Sequence, residues 1–204
     1  MNHFLDLGTH YFEGGDCKNG LLTFEEEGFF GKAPPYDWHV LTFEPSESAW
    51  DANVNTVEKV AKHFASFGMF RAAIADNDGT TTFKWLPFWK AASTCVADSL
   101  TEIEGKQVVE YEVQTIDIKR TVEEIIDADP EAHIVIKCDI EGAEFTVLPR
   151  LLEVADVGRW VKNIFVEWHD RFWHGKPRYN EIMEIKGMIE KECSQKGIIL
   201  HSWV

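Results

Sequence analysis

No apolar run in the chain approaches the roughly 18 residues needed to cross a bilayer, so a membrane-spanning helix is not expected. Positive charge is scarce. Twenty Lys and Arg stand against 35 Asp and Glu, a formal net charge of −15, and such a surface repels nucleic acid and anionic lipid. General DNA, RNA and membrane-surface binding are set aside on that ground. The most basic stretch, Arg171 to Arg178, is mixed with acid and aromatic residues. Cysteine is sparse too. Cys17, Cys95, Cys138 and Cys193 show no CxxC or CxxH spacing, which argues against a structural zinc site and for a reducing, cytoplasmic compartment. The only apolar segment near the start is broken by Asp6, which argues against a secretory signal. The first strand is expected by about residue 3 and the last to end at Val204, leaving no spare targeting segment.

What is present reads as one α/β domain over residues 1–204, with a lid or edge-strand insertion at 79–118. His3–Gly8, His39–Pro45, Met69–Asp76, His133–Ile140, Asn163–His169 and Gly197–Trp203 read as strands. Several are almost continuously apolar, as in a sheet covered on both faces. Helical spacing joins Trp50, Val54, Val57, Ala61 and Phe64. It also joins Phe145, Leu148, Leu152 and Ala155, with a kink or a broken first turn expected at Pro149, and Ile182, Ile185, Ile189 and Cys193. The alternation predicts a mainly parallel sheet with helices on both faces. Gly79–Trp85 and Val108–Ile118 read as antiparallel or edge strands.

Acids stand at nearly every strand end: Asp6, Glu44, Asp76, Asp139, Glu141 and Glu167, with His169 after the last of them. Open α/β sheets bind ligands outside the carboxyl ends of their strands. Glu44, after the second strand, is placed to accept both hydroxyls of a ribose. The first loop, Asp6-Leu7-Gly8-Thr9-His10-Tyr11-Phe12, lacks the G-x-G-x-x-G that lets backbone approach a pyrophosphate. A nicotinamide-dependent oxidoreductase is therefore the weaker reading. A donor without phosphate, carrying a sulfonium and an ammonium, suits the acids better.

In this order, FLDLGTHYFEG, VLTFEPS, AAIADNDGTTTF, VQTIDI, IKCDIEGAEFTVLPRLL and IFVEWH resemble the FkbM-type S-adenosyl-L-methionine-dependent methyltransferases. The similarity runs from about Phe4 to His169 and is most specific at Lys137–Glu144. It implies a Rossmann-like methyltransferase fold and O-methylation of a hydroxyl on a sugar, glycan or natural product. Carried over by position, it implies that Asp6, Gly8, Thr9 and His10 form the donor loop. Glu44 would hold the ribose, Ala75 and Asp76 would lie beside the adenine, and Asp139 would face donor and acceptor. The family loop usually reads D-x-G-A-N-x-G; here Thr9, His10 and Phe12 replace its A, N and last G.

Rings at Trp85, Trp89, Trp168 and Trp173 are read as an acceptor platform, against the simpler reading that they pack the core. His169 is the candidate base, since imidazole suits proton transfer near neutral pH. No resident metal is expected, although Asp139, Glu167 and His169 would suit a divalent cation chemically. Glu141 and Glu144 read as first-turn charges of a helix. The alternative from another class is a catalytically silent relative that binds a glycan or partner through its aromatic lids.

Overall fold

The computed structural model describes residues 1–9, 35–55, 57–85, 93–94 and 108–203. Its core is a six-stranded parallel sheet. The strands are β1 (Asn2–Leu7), β2 (Trp38–Phe43), β3 (Ser66–Phe70), β8 (His133–Cys138), β9 (Val161–Glu167) and β10 (Ile199–Trp203), ordered β10-β9-β8-β1-β2-β3. A second sheet takes β4 (Ala73–Ala75), β5 (Gly79–Trp85), β6 (Ser93–Thr94) and β7 (Val109–Asp117) in the order β4-β7-β5-β6. There β5 runs antiparallel to β7, while β4 runs parallel to it.

Residue alternation sorts the main sheet's side chains into two cores. Leu5, Leu7, Ile134, Ile136, Cys138, Ile164 and Val166 face one side, where they meet α3 (Ile118–Ala128), α4 (Glu144–Leu152) and α5 (Tyr179–Lys196). Phe4, Trp38, Val40 and Val135 face the other, against Phe64 and the short helix α2 (Val57–Ala61). Each helix has a local cause. Asp117 caps α3 through the Lys119 N–H at 2.8 Å, and the buried Ile118, Thr121, Val122 and Ile125 lie on one stripe. Gly197, at φ +70°, ends α5 in the left-handed region, and the Ile198 N–H returns to the Cys193 carbonyl.

Three expectations change. Met69–Asp76 is not one strand: Phe70 stacks on Phe43 at 5.1 Å and closes β3, and the chain then crosses to the second sheet, where Ala73 and Ile74 are buried. The Trp50–Phe64 pattern is two short helices, α1 (Glu47–Val54) and α2. Capping by Ser46 sets the register of α1 so that Ala49 and Asn53 face inward and Val54 faces solvent. Helix α4 continues through Pro149. Helix α3 has no counterpart in the sequence reading.

Candidate active site

The chain builds β1, β2 and β3 to one side, then returns to place β8 on the other side of β1. Strand order reverses between β1 and β8, and the crevice at their carboxyl ends is the expected ligand position. Gly8 follows β1 at φ +82°, and a Cβ there would lie 1.8 Å from the Asp139 carbonyl oxygen. Only glycine allows the two strand ends to approach this closely. The Gly8 and Thr9 N–H groups both donate to the Phe43 carbonyl, which ties the loop to β2 as well.

Parallel register sets Asp6 beside Lys137. Both are buried, and Lys137 Nζ lies 3.3 Å from Asp6 Oδ1 and 3.5 Å from Asp139 Oδ2 while donating to the Gly8 carbonyl at 2.8 Å. A buried ammonium needs such compensation, and here it fixes the positions of both acids.

One strand further, the backbone after β8 turns sharply: Glu141 has φ +53° and Gly142 φ +103°. This brings Glu141 over His169, which follows β9. His169 Nε2 lies 3.8 Å from Asp139 Oδ1, 3.3 Å from Glu141 Oε2 and 3.5 Å from Glu167 Oε1. Its Nδ1 lies 3.3 Å from Glu144 Oε1. Glu144 is fully buried at the start of α4 and accepts from the Gly142 N–H at 2.8 Å and the His169 N–H at 2.7 Å. It joins the loop after β8 to the loop after β9, a structural duty beyond the helix-end charge expected of it. Burial by itself would lower the imidazole pKa, but Glu144, Glu141 and Asp139 outweigh it and raise it. Burial, with Asp139 and Glu167 nearby, pushes the Glu141 carboxyl up to about 8.

At the end of β2, Glu44 is buried and accepts from the Ser46 N–H at 2.7 Å. A cavity of about 280 Å³ lies between the second sheet and the start of α4, lined among others by Ala75, Asp76, Thr115, Ala143 and Thr146. Ala75 and Asp76, read from the sequence as an adenine wall, line this cavity together.

His10 and Trp89 lie outside the described residues. Trp85 is half-buried beside the small core of the second sheet. Trp168 and Trp173 were expected to line an acceptor entrance. Both are buried in the main core, Trp168 stacked on Phe145 at 5.6 Å and Trp173 only 1% exposed, because their elements pack their rings inward. The sequence reading missed Lys137 and did not place Glu141 and Glu144 beside His169. A lysine inside the apolar run HIVIKC was the available signal.

A parallel sheet in this order, with a glycine turn and buried acids at its switch point, defines an α/β protein of Rossmann-like architecture. The model of the methyltransferase FkbM domain matches residues 24–193, and the chain belongs to the FkbM methyltransferase family. Methyl transfer is the class of activity that this membership supports. No curated protein and no solved structure matches the chain.

Proposed function

We propose that the protein transfers the methyl group of S-adenosyl-L-methionine to a hydroxyl of a small-molecule or glycan acceptor. The observation that carries this reading is the arrangement at the switch point, where Gly8 lets the ends of β1 and β8 touch and buried acids surround the contact. The residues present fit such a donor: acids favour its cationic groups, and the cavity beside Ala75 and Asp76 is near the size expected for a small-molecule site. The donor supplies an electrophilic methyl group. Asp6, Gly8, Thr9 and His10 form its loop, Glu44 accepts the ribose hydroxyls, and Ala75 and Asp76 flank the adenine. Asp139 meets the acceptor hydroxyl. His169, enclosed by carboxylates, acts through Asp139 and Glu141 and positions them. Trp85 and Trp89 serve the acceptor. The enzyme's main work is to align oxygen, methyl and sulfur, and the hydroxyl must lose its proton as the bond forms.

Calorimetric titration with S-adenosylmethionine and its demethylated product tests the reading: saturable binding of both is expected. Absence of both sinks it and favours the catalytically silent binder. That alternative draws on one observation, that the family match begins at residue 24, beyond Asp6–Thr9. Glu44→Gln preserves an oxygen for the Ser46 N–H but loses the charge. It should weaken binding of the demethylated product by about 1.5–3 kcal/mol, the scale of a charged hydrogen bond. Unchanged affinity in the folded variant removes Glu44 from the ribose.

A further inference from the structure

The side chain that the methyl-transfer reading uses least directly is His169. Its ring is 1% exposed, and among the described residues neither Nε2 nor Nδ1 has a hydrogen-bond partner. A buried nitrogen without a partner is costly. Nε2 lies 3.3–3.8 Å from oxygens of Asp139, Glu141 and Glu167. Asp139 and Glu141 are partly accessible, so histidine forms the floor of the group and the two acids its walls. Lys137 approaches the opposite oxygen of Asp139, Oδ2, and Arg171 reaches Glu167 at 3.1 Å with a side chain that is itself largely exposed.

The other ring nitrogen completes the argument. A histidine that ligates a metal usually has its second nitrogen oriented by a carboxylate, which fixes the tautomer. Here buried Glu144 lies 3.3 Å from Nδ1 and is itself fixed by two backbone N–H groups. With the proton on Nδ1, the Nε2 lone pair faces the acids. The three candidate ligand atoms, one each from Asp139, Glu141 and His169, lie within 4.8 Å of one another. Ligands at about 2.1 Å in an octahedron are separated by about 3.0 Å when adjacent and about 4.2 Å when opposite. Small side-chain rotations close that difference.

We propose that Asp139, Glu141 and His169 bind one divalent cation of the magnesium–manganese class. Two carboxylates and one imidazole, with no thiolate, match that class. Three protein ligands leave positions open on the accessible side, where an acceptor can present a hydroxyl with a neighbouring oxygen. The cation's role toward the acceptor rests on the methyl-transfer reading; the binding site itself does not. In that role it orients the hydroxyl and lowers its pKa. The hydroxyl oxygen bonds to the methyl carbon as the carbon–sulfur bond breaks, the electron pair stays on sulfur, and the hydroxyl proton passes to water.

The test is titration of chelator-treated, desalted protein with MnCl2, read by electron paramagnetic resonance of free Mn²⁺ and repeated in competition with MgCl2. One saturable site per chain is expected. Glu141→Gln and Asp139→Asn should each weaken it at least tenfold, while Glu47→Gln, at an exposed surface pair, leaves it unchanged. Mn²⁺ should also raise the melting temperature of the native protein and not of Glu141→Gln. Absence of a saturable site, or native affinity retained in both cluster variants, overturns the proposal. If Glu141→Gln fails to fold, the native titration and Asp139→Asn decide. A parallel titration of metal-free protein with demethylated donor separates the two ideas. Donor product bound without any Mn²⁺ site refutes the cation alone; an Mn²⁺ site with no donor binding upholds the cation and removes methyl transfer.

Discussion

Replacing Glu144 should unfold the link between the two site loops, and the structure sets the size of the effect. Its carboxylate accepts the Gly142 N–H at 2.8 Å and the His169 N–H at 2.7 Å, all buried. A hydrogen bond to a charged group contributes about 1.5–3 kcal/mol. In Glu144→Gln one oxygen remains as an acceptor, and the amide NH2 confronts the other N–H. One bond is lost, and a destabilisation of about 1.5–3 kcal/mol follows. In Glu144→Ala both donors are orphaned, so the cost rises to about 3–6 kcal/mol. Domains of this kind are held by only about 5–15 kcal/mol in total, so the alanine variant approaches the limit of folding. Equilibrium unfolding in urea, followed by tryptophan fluorescence and far-ultraviolet circular dichroism, reads the difference at constant slope. The core indoles of Trp168 and Trp173 make the fluorescence a report on this region. A shift below about 0.5 kcal/mol in Glu144→Gln, the range of an ordinary surface substitution, refutes the reasoning.

Gly8→Ala should destabilise the fold by at least the roughly 1–3 kcal/mol of a left-handed non-glycine residue, with the clash against the Asp139 carbonyl in addition. A thermal midpoint equal to the native one would show that the two strand ends are not in contact. Arg150→Ala removes the guanidinium that bonds Asp117 at 2.7 Å. Burial would raise the Asp117 pKa, but Arg150 and the Lys119 N–H outweigh it and hold it below the usual range. A depressed carboxyl pKa contributes stability above its unfolded value, near 3.9, and loses it as pH falls through the folded value. The native protein should therefore exceed Arg150→Ala in stability above roughly pH 5. The gap should shrink below about pH 3.9. Denaturant midpoints across that range check it, and a gap independent of pH refutes the pairing.

The local sequence determined the central strands of the main sheet and their contents. Runs such as HFLDLG and HIVIKCDI are apolar at consecutive positions because both faces of a central parallel strand are covered, and this holds wherever the strand lies in the sheet. The acids after those runs were legible for the same reason: a strand end is a local event. The motif KCDIEGAE carried the family with it. Tertiary structure alone decided what those acids meet. Asp6 and Lys137 are 131 positions apart and become neighbours only through the register of β1 and β8. Glu144 reads from the sequence as a helix-end charge, and it became the buried partner of His169 only when β9 was laid beside β8. Trp168 and Trp173 have the sequence context of a mouth, but the packing of α4 and α5 turned them inward. Periodicity records which face of an element is apolar. It carries no information on which distant element covers that face, because that choice is made by chain topology and by the burial free energy of the whole sheet.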